Sequence, residues 1–353
     1  MVNIDTLQKK GSYSPVVLDD IRKRMAVGDH YSFSGVVTRT AQGELTLSAE
    51  SLPQLLSPSL HTLPTQVTDK ETLARLPQLE LLLQHRKRDL LRLRHVVEKS
   101  LADFFDNAEF TKVTTPILAA DTGGAAAHPF ETSTNEMPDV PLRLRIAPEL
   151  ALKKLTAANM GAVYEIGSCF RNEGLDSTHN PEFTTCEFYK PFAGLDELMS
   201  MTEALLKRMA RSCQAAIDTR LTGLVKQPFV NEYFLRSTGF ARLPFIPTLL
   251  QEIRKHIPTY RLPRQLDESA ATDLIDLIQQ LQKASPQLEL KVPANPTTAR
   301  LLDYLCSHLV EPLCQAPTFI TSHPAIMSPL AKSYPDPETG YVLTAREIGR
   351  AHV

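Results

Sequence analysis

Between Phe170 and Tyr189 the chain reads FRNEGLDSTHNPEFTTCEFY, which gathers an arginine, acids, a histidine, aromatic rings and a closing Glu-x-Tyr pair into one short stretch. Arg171 is suited to a phosphate or a carboxylate, because a planar guanidinium donates two parallel charged hydrogen bonds. Glu187 and Tyr189 place a carboxylate and a phenol two residues apart, and that pair suits a cation such as an amine.

Two strands must hold these groups. Ala162 to Gly167 (AVYEIG) is apolar and β-prone, and Phe183 to Tyr189 (FTTCEFY) is rich in Thr and aromatics, so the segment predicts an antiparallel pair around a polar loop. Side chains two apart on a strand share a face, which puts Glu187 beside Tyr189. Upstream, Leu90, Leu93, Val97, Leu101, Phe104 and Ala108 recur at three and four, predicting an amphipathic helix with one buried stripe over 90–108. A strand from Phe110 to Leu118 follows, ending near Pro116, which on its own reads as an edge or turn proline. Short strands at Tyr31 to Thr38 and Leu45 to Ser48, joined by a turn at Gln42-Gly43, predict a small β unit near the start. Leu274, Leu277, Ile278 and Leu281 mark one later core helix, and Leu301, Leu302, Leu305 and Leu309 another.

Composition sets wider bounds. The 353 residues suffice for two domains, and 42% hydrophobic with 22% charged residues describes an ordinary globular chain. The net charge of −2, from 38 basic and 40 acidic residues, neither announces nor excludes an RNA partner, so any such signal is local. Gln84-His-Arg-Lys-Arg88, continued by Arg92 and Arg94, is one local attractor for RNA phosphates, although taken alone it reads first as a solvated helix face. Five cysteines form no C-x-x-C pair and are odd in number, which argues against a disulfide framework or a zinc site and for a reducing compartment. No run reaches the roughly 18 apolar residues of a membrane span, and Met1 to Lys10 is neither a signal peptide nor an Arg-rich transit helix.

The central run resembles motif 2 of the class II aminoacyl-tRNA synthetases, and in detail the lysyl-tRNA synthetases, which share the words YEIG, FRNEG, THNPEFT and CEFY. Further matches follow the family's order: Gly123-Gly124 before HPF, Arg145-Ile-Ala-Pro-Glu149, Thr298-Ala-Arg-Leu-Leu302, Pro317-Thr-Phe-Ile320, His323-Pro, and Ile326-Met-Ser-Pro-Leu-Ala-Lys332. Together they cover most of residues 60–346. The resemblance implies an α+β fold: a partial OB-fold β-barrel, then an incomplete class II antiparallel sheet flanked by helices. Its domains would be an anticodon-binding unit over 1–65 and a catalytic unit over 66–346, with a helical variable segment at about 220–300.

The resemblance also implies roles. The reaction is ATP-dependent activation of lysine to lysyl-adenylate and transfer to tRNA(Lys), with ATP as substrate and Mg2+ as cofactor. Arg171 would be the catalytic group, bridging the lysine carboxylate and the α-phosphate, while Glu173, His179, Asn180 and Phe183 complete the ATP site. Gly124, Glu149, Arg171, Glu187 and Tyr189 would bind lysine, Glu149 and the Gly124 backbone taking the α-amine and Glu187 with Tyr189 the ε-ammonium. Pro116 would sit at a homodimer interface. Taken alone, Glu149 reads as a helix-start carboxylate, Glu187 as a solvated strand residue and His179 as a loop histidine; their joint occurrence in family order favours the site.

Aspartyl and asparaginyl synthetases share the architecture but need a basic or amide-reading pocket floor, and Glu187 has the opposite sign. A related enzyme that modifies a translation factor lacks the OB unit, and the strands at 31–48 argue against it. From another class comes a shortened synthetase-like protein that only binds RNA or a partner. It is kept because the family's motif 3 arginine, the acids that hold its magnesium ions and the first OB strands have no counterpart within these residues. On that ground the 353-residue chain by itself is expected to lack activation activity. Glu347-Ile-Gly-Arg-Ala-His-Val353 is the translation of GAGATCGGAAGAGCACACGTC, which contains the start of a sequencing-library adapter, so 347–353 is expected to be a non-native tail, with a true splice variant as the alternative. The spacing Lys332-Ser-Tyr-Pro-Asp-Pro-Glu-Thr-Gly340 is similar to that of fungal mitochondrial lysyl enzymes, so a mitochondrial location is expected, with a cytoplasmic one as the alternative.

Overall fold

The structure, a computed structural model, describes residues 2–9, 11–61, 63–125, 127–176, 179–224, 239–328, 331–344 and 348–350. It divides into two compact units, Met1–Arg88 and Asp89–Val353.

In the first unit β1 (Val2–Asn3), α1 (Asp5–Lys9) and α2 (Pro15–Arg24) precede β2 (His30–Ser32), β3 (Gly35–Arg39), β4 (Leu45–Ala49) and β5 (Gln54–Ser57). Leu7, Leu18 and Ala49 form its buried core, with Ile4 and Leu52 at the margin. The expected turn is present, with Gly43 at φ +85° and its N–H donating to Thr40 O at 2.9 Å. The single strand expected over Tyr31 to Thr38 is instead two strands in different sheets: β2 pairs with β5, and β3 with β4. Gly35 lies where they part, so close to the next strand that a Cβ would meet Ser48 O at 2.1 Å. The sheets run β1-β4-β3 and β2-β5, and closure into one barrel is not among the pairings of the described residues. Two short helices, α3 (Lys70–Arg75) and α4 (Pro77–Leu83), follow, the first capped by Asp69, whose carboxylate accepts from Thr72 N at 2.8 Å.

In the second unit α5 (His85–Asn107) and α7 (Leu195–Thr219) cover one face of a sheet ordered β11-β10-β6, built from β6 (Thr111–Lys112), β10 (Val163–Phe170) and β11 (Glu182–Tyr189). The α5 stripe differs from the expected one: Asp89, Val96, Ser100 and Phe105 are buried, Leu90 is 42% exposed, and Ala108 lies beyond the helix. The helix has two neighbours rather than one. Val96 packs with Cys213, Ile217 and Leu221, Phe105 packs with the sheet, and the buried polar positions are satisfied by Ser100–Ser212 (3.3 Å), between them, and by Gly223 N donating to Asp89 (2.8 Å), nearer the start of the helix. The strand expected over Phe110 to Leu118 is also broken, into β6 and β7 (Leu118–Ala119). Between them Thr115 gives its N–H to the Glu165 carboxylate instead of a strand, and Pro116 has none to give. Strand β7 pairs with β9 (Leu142–Leu144), which also carries β8 (Glu131–Thr132).

Beyond α7 the largest core forms from β12 (Ala241–Pro244), α8 (Phe245–His256), α9 (Ala271–Ala284) and α10 (Thr298–Leu309). Every leucine and isoleucine expected in those last two helices is buried there. Strand β12 joins β13 (Thr318–Thr321) in parallel, and β14 (His323–Pro324), β15 (Ser333–Pro335) and β16 (Val342–Thr344) make a second small sheet. Of the tail, 348–350 forms β17 (Ile348–Arg350), antiparallel to β13; residues 347 and 351–353 lie outside the described residues.

Candidate functional site

Strands β10 and β11 pair along their whole length, from Val163 opposite Tyr189 to Phe170 opposite Glu182. Because side chains alternate, the hairpin has two faces of opposite character. Tyr164, Ile166, Cys186 and Phe188 join Phe105, Phe110 and Leu205 in the core beneath α5 and α7. The opposite face carries Phe183, Thr185, Glu187 and Tyr189 on β11 and Glu165, Gly167 and Cys169 on β10. Burial pushes the core-facing Cys186 thiol up to about 11, which keeps it protonated at neutral pH, and none of the five cysteines is in a disulfide.

At the loop end, Arg171 N donates to Pro181 O at 2.8 Å and Asn172 N to His128 O at 2.7 Å, fixing the base of the loop. The Arg171 guanidinium lies over the Phe183 ring, 5.0 Å from its centroid. Its Nε is buried with no hydrogen-bond partner among the described residues. A buried unsatisfied donor costs about 1–3 kcal/mol, which an incoming anion relieves. His179 is held by Asp176, which accepts its N–H at 2.9 Å and lies 2.8 Å from Nδ1. Arg171, Glu173, His179, Asn180, Pro181 and Phe183 together line a cleft of about 180 Å³. The structure therefore brings all five residues expected at a nucleotide into one place.

At the other end, Tyr189 donates to Glu187 Oε2 at 3.4 Å. Burial raises the Glu187 carboxyl above its ordinary range, and the nearby Glu149 carboxylate raises it further, while the Tyr189 hydrogen bond opposes both. Burial also raises the Tyr189 phenol, with the Glu187 charge second. Glu149 is the first residue of α6 (Glu149–Ala157) and pairs with Lys153 Nζ at 2.5 Å. Gly124, at φ +92°, lies so close that a Cβ on it would sit 2.8 Å from Glu149 Cβ. Gly124, Glu149, Glu187 and Tyr189 thus lie together, while Arg171, the fifth residue expected at lysine, stands over Phe183 at the loop end. Pro116 is exposed, followed by the exposed Ile117 and Leu118.

Sequence reasoning assigned no role to three residues beneath this end. Glu165 lies directly opposite Glu187 in the strand pair. It is ion-paired to Arg145, with both side chains at most 6% exposed, and Thr115 closes the set by donating to Glu165 at 2.7 Å and accepting from Arg145 at 3.0 Å. Arg145 Nε also donates to Ser168 O at 2.8 Å. The signal was present in the alternation of β10, which places Glu165 on the same face as Glu187, and in the buried arginine that opens RIAPE.

Chemically, one face of β11 presents an aromatic ring under a guanidinium at one end and carboxylates with a phenol at the other, roughly 13 Å apart at the rise of an extended strand. It is built to take an anion at the first and a cation at the second. The basic run near α5 is largely engaged within the chain instead: Arg88 donates to Leu81 O and Leu82 O, Lys87 pairs with Glu80, Arg92 with Asp89, and Arg94 with Glu98 and Thr184.

Residues 69–347 match the family described as tRNA synthetases class II (D, K and N). Among curated relatives, the chain is 36% identical over 319 residues to a lysine–tRNA ligase of Cladosporium cladosporioides, covering 88% of this chain and 51% of that protein. It is 35% identical over 335 residues to the mitochondrial lysine–tRNA ligase of Schizosaccharomyces pombe, covering 94% and 57%. It is 36% identical over 322 residues to a probable cytoplasmic lysine–tRNA ligase of Encephalitozoon cuniculi, covering 90% and 60%. The chain spans between half and three-fifths of the length of these relatives.

Proposed function

The chain belongs to the class II tRNA synthetases (D, K and N), and from that membership we propose that it carries a lysine-recognising and an ATP-recognising surface of a lysine–tRNA ligase. The reaction joins the lysine carboxylate to the α-phosphorus of ATP, expels pyrophosphate, and passes the lysyl group to tRNA(Lys). The observation that carries this reading is the single face of β11, with Arg171 and Phe183 at its anion end and Glu187 and Tyr189, flanked by Glu149, at its cation end.

On this reading Arg171 is the catalytic residue, its guanidinium facing the negative charge that builds on the carboxylate and phosphate oxygens. Phe183 stacks on adenine, Glu173 accepts from the adenine amino group, and His179 and Asn180 line the phosphate tail. Glu149 and the Gly124 backbone take the α-amine, and Glu187 with Tyr189 takes the ε-ammonium. A negative floor excludes an aspartate side chain by sign.

Class II synthetases use ATP as substrate and, in general, a divalent metal. Among the described residues no group of three or more His, Cys, Asp or Glu side chains converges to hold such an ion, so no step of this reading runs through magnesium. The OB-type anticodon-binding module for tRNA(Lys) rests on the sequence resemblance of the first unit, whose described strands form two small sheets, and the exposed Pro116, Ile117 and Leu118 support a homodimer interface. The relatives include mitochondrial and cytoplasmic forms; the Lys332–Gly340 spacing supports the mitochondrial location. Among the described residues no helix is long and apolar enough to cross a membrane.

Calorimetry on the purified chain with lysine, norleucine and aspartate tests the reading. Lysine is expected to bind and norleucine, which keeps the stem but lacks the ammonium, to bind at least about 30-fold more weakly, as follows from leaving a buried carboxylate unpaired. Equal binding of lysine and norleucine sinks it.

A further inference from the structure

Arg145 and Glu165, beneath the cation end of the proposed ligand path, are the most deeply buried ion pair among the described residues. Their placement has a physical consequence for Glu187. Directly opposed residues of an antiparallel pair put their side chains on one face, and like charges so placed repel. Glu165 and Glu187 are such a pair. Every other group facing Glu187 has a known sign: Tyr189 from its own strand, Glu149 from α6 with Lys153 beside it, and Arg145 from the segment just after β9. Glu165 and Arg145 act on the Glu187 charge in opposite directions.

Resting on the lysine reading of this pocket, we infer that Arg145 is a positioning residue for lysine selection. Its guanidinium cancels the one carboxylate that faces Glu187 across the hairpin, so that Glu187 meets the substrate ammonium ionised and undisturbed. The fold makes room for this. A Cβ on Gly167 would lie 2.5 Å from Arg145 Nη2, so the missing side chain lets the guanidinium lie across the strand. Thr115 and Ser168 O hold it there through three hydrogen bonds of 2.8, 3.0 and 3.3 Å.

The balance makes a charge-specific forecast. Arg145→Met leaves Glu165 bare beside Glu187, so Glu187 holds its proton to higher pH and lysine affinity at pH 7 falls about tenfold, recovering as pH rises. Glu165→Gln leaves Arg145 uncancelled, and its positive charge weakens lysine binding at every pH. Removing both in R145M/E165Q restores neutrality and returns affinity to within about threefold of the unaltered chain, in the manner of a double-mutant cycle.

The test pairs lysine calorimetry between pH 6 and 8.5 with the ¹³C-carboxyl titration of Glu187, assigned by subtraction against Glu187→Gln. The expected result is a Glu187 midpoint raised in R145M and returned in the double variant, with lysine affinity following it. A midpoint that does not move, or a double variant as weak as R145M, overturns the inference. A purely structural role for Arg145 would lower the binding stoichiometry at unchanged Kd and would also overturn it. Should R145M fail to fold, the double variant must still bind lysine more tightly than E165Q. An unaltered chain that does not bind lysine while the Glu187 midpoint still moves refutes the lysine reading and leaves the charge pairing standing.

Discussion

Glu187 and Tyr189 stand two residues apart on one face of β11, with the phenol donating to Glu187 Oε2 at 3.4 Å. The hydrogen bond is long, and it holds a carboxylate that burial and Glu149 both disfavour in its charged form. Such a group is poised for a further cation beyond Arg145, whose charge already acts on it.

Replacing that carboxylate should therefore cost binding in proportion to the lost ion pair. Glu187→Gln is expected to weaken lysine binding by about 2–5 kcal/mol, and Tyr189→Phe by about 1 kcal/mol, the worth of one hydrogen bond. Calorimetry at pH 7.5 reads both, and near-equal losses would count against the assigned division of labour.

Stability should move the other way. Because the folded Glu187 carboxyl titrates above its unfolded value, the folded chain binds more protons than the unfolded one across that window. Stability is therefore full below the ordinary glutamate range and falls as pH rises through the raised value. Glu187→Gln should melt higher than the unaltered chain at pH 7.5, and the difference should close near pH 4. Melting curves at the two pH values check this; a variant that melts lower at pH 7.5 contradicts it.

Phe183 supports Arg171 from below, 5.0 Å from its guanidinium carbon. Phe183→Ala should lower ATP affinity by roughly 0.5–2 kcal/mol through the lost stacking, and Phe183→Tyr should keep most of it. Titration of a fluorescent ATP analogue distinguishes them, and equal affinity in the alanine variant would remove Phe183 from the site.

Gly124 is constrained twice, by φ +92° and by the 2.8 Å approach of its missing Cβ to Glu149. Gly124→Ala should cost about 1–3 kcal/mol of strain, taken from stability, from lysine binding through a displaced Glu149, or from both. A variant indistinguishable from the unaltered chain in melting and in lysine affinity would show that the loop is free to yield.

Part of this was legible in the amino-acid order. Period-two alternation in FTTCEFY puts Phe183, Glu187 and Tyr189 on one face, and the hairpin forms in that register. The leucine and isoleucine spacing of 274–281 and 301–309 finds the two helices whose inner faces are fully buried. Each pattern is local, and each needed only one neighbour to satisfy it.

Where two neighbours compete, the local pattern misled. On α5 the apolar repeat named one stripe, but the helix divides its contacts between α7 and the sheet, so Asp89 and Ser100 are buried and Leu90 is not. In 110–118 the β-prone residues predicted a continuous strand, but Thr115 turns its N–H to Glu165 and Pro116 has none to pair.

The sequence by itself determined which side chains of β11 share a face and in what order, because alternation along a strand is a property of the covalent chain. Only the tertiary structure decided which charges surround them. Arg145 and Glu165 are 20 residues apart in sequence, and Thr115 and Glu165 are 50 apart. No period connects them; they meet because the segments that carry Thr115 and Arg145 both run along the edge of β10 opposite β11. A buried carboxylate must then find a cation and a hydroxyl wherever the fold places them.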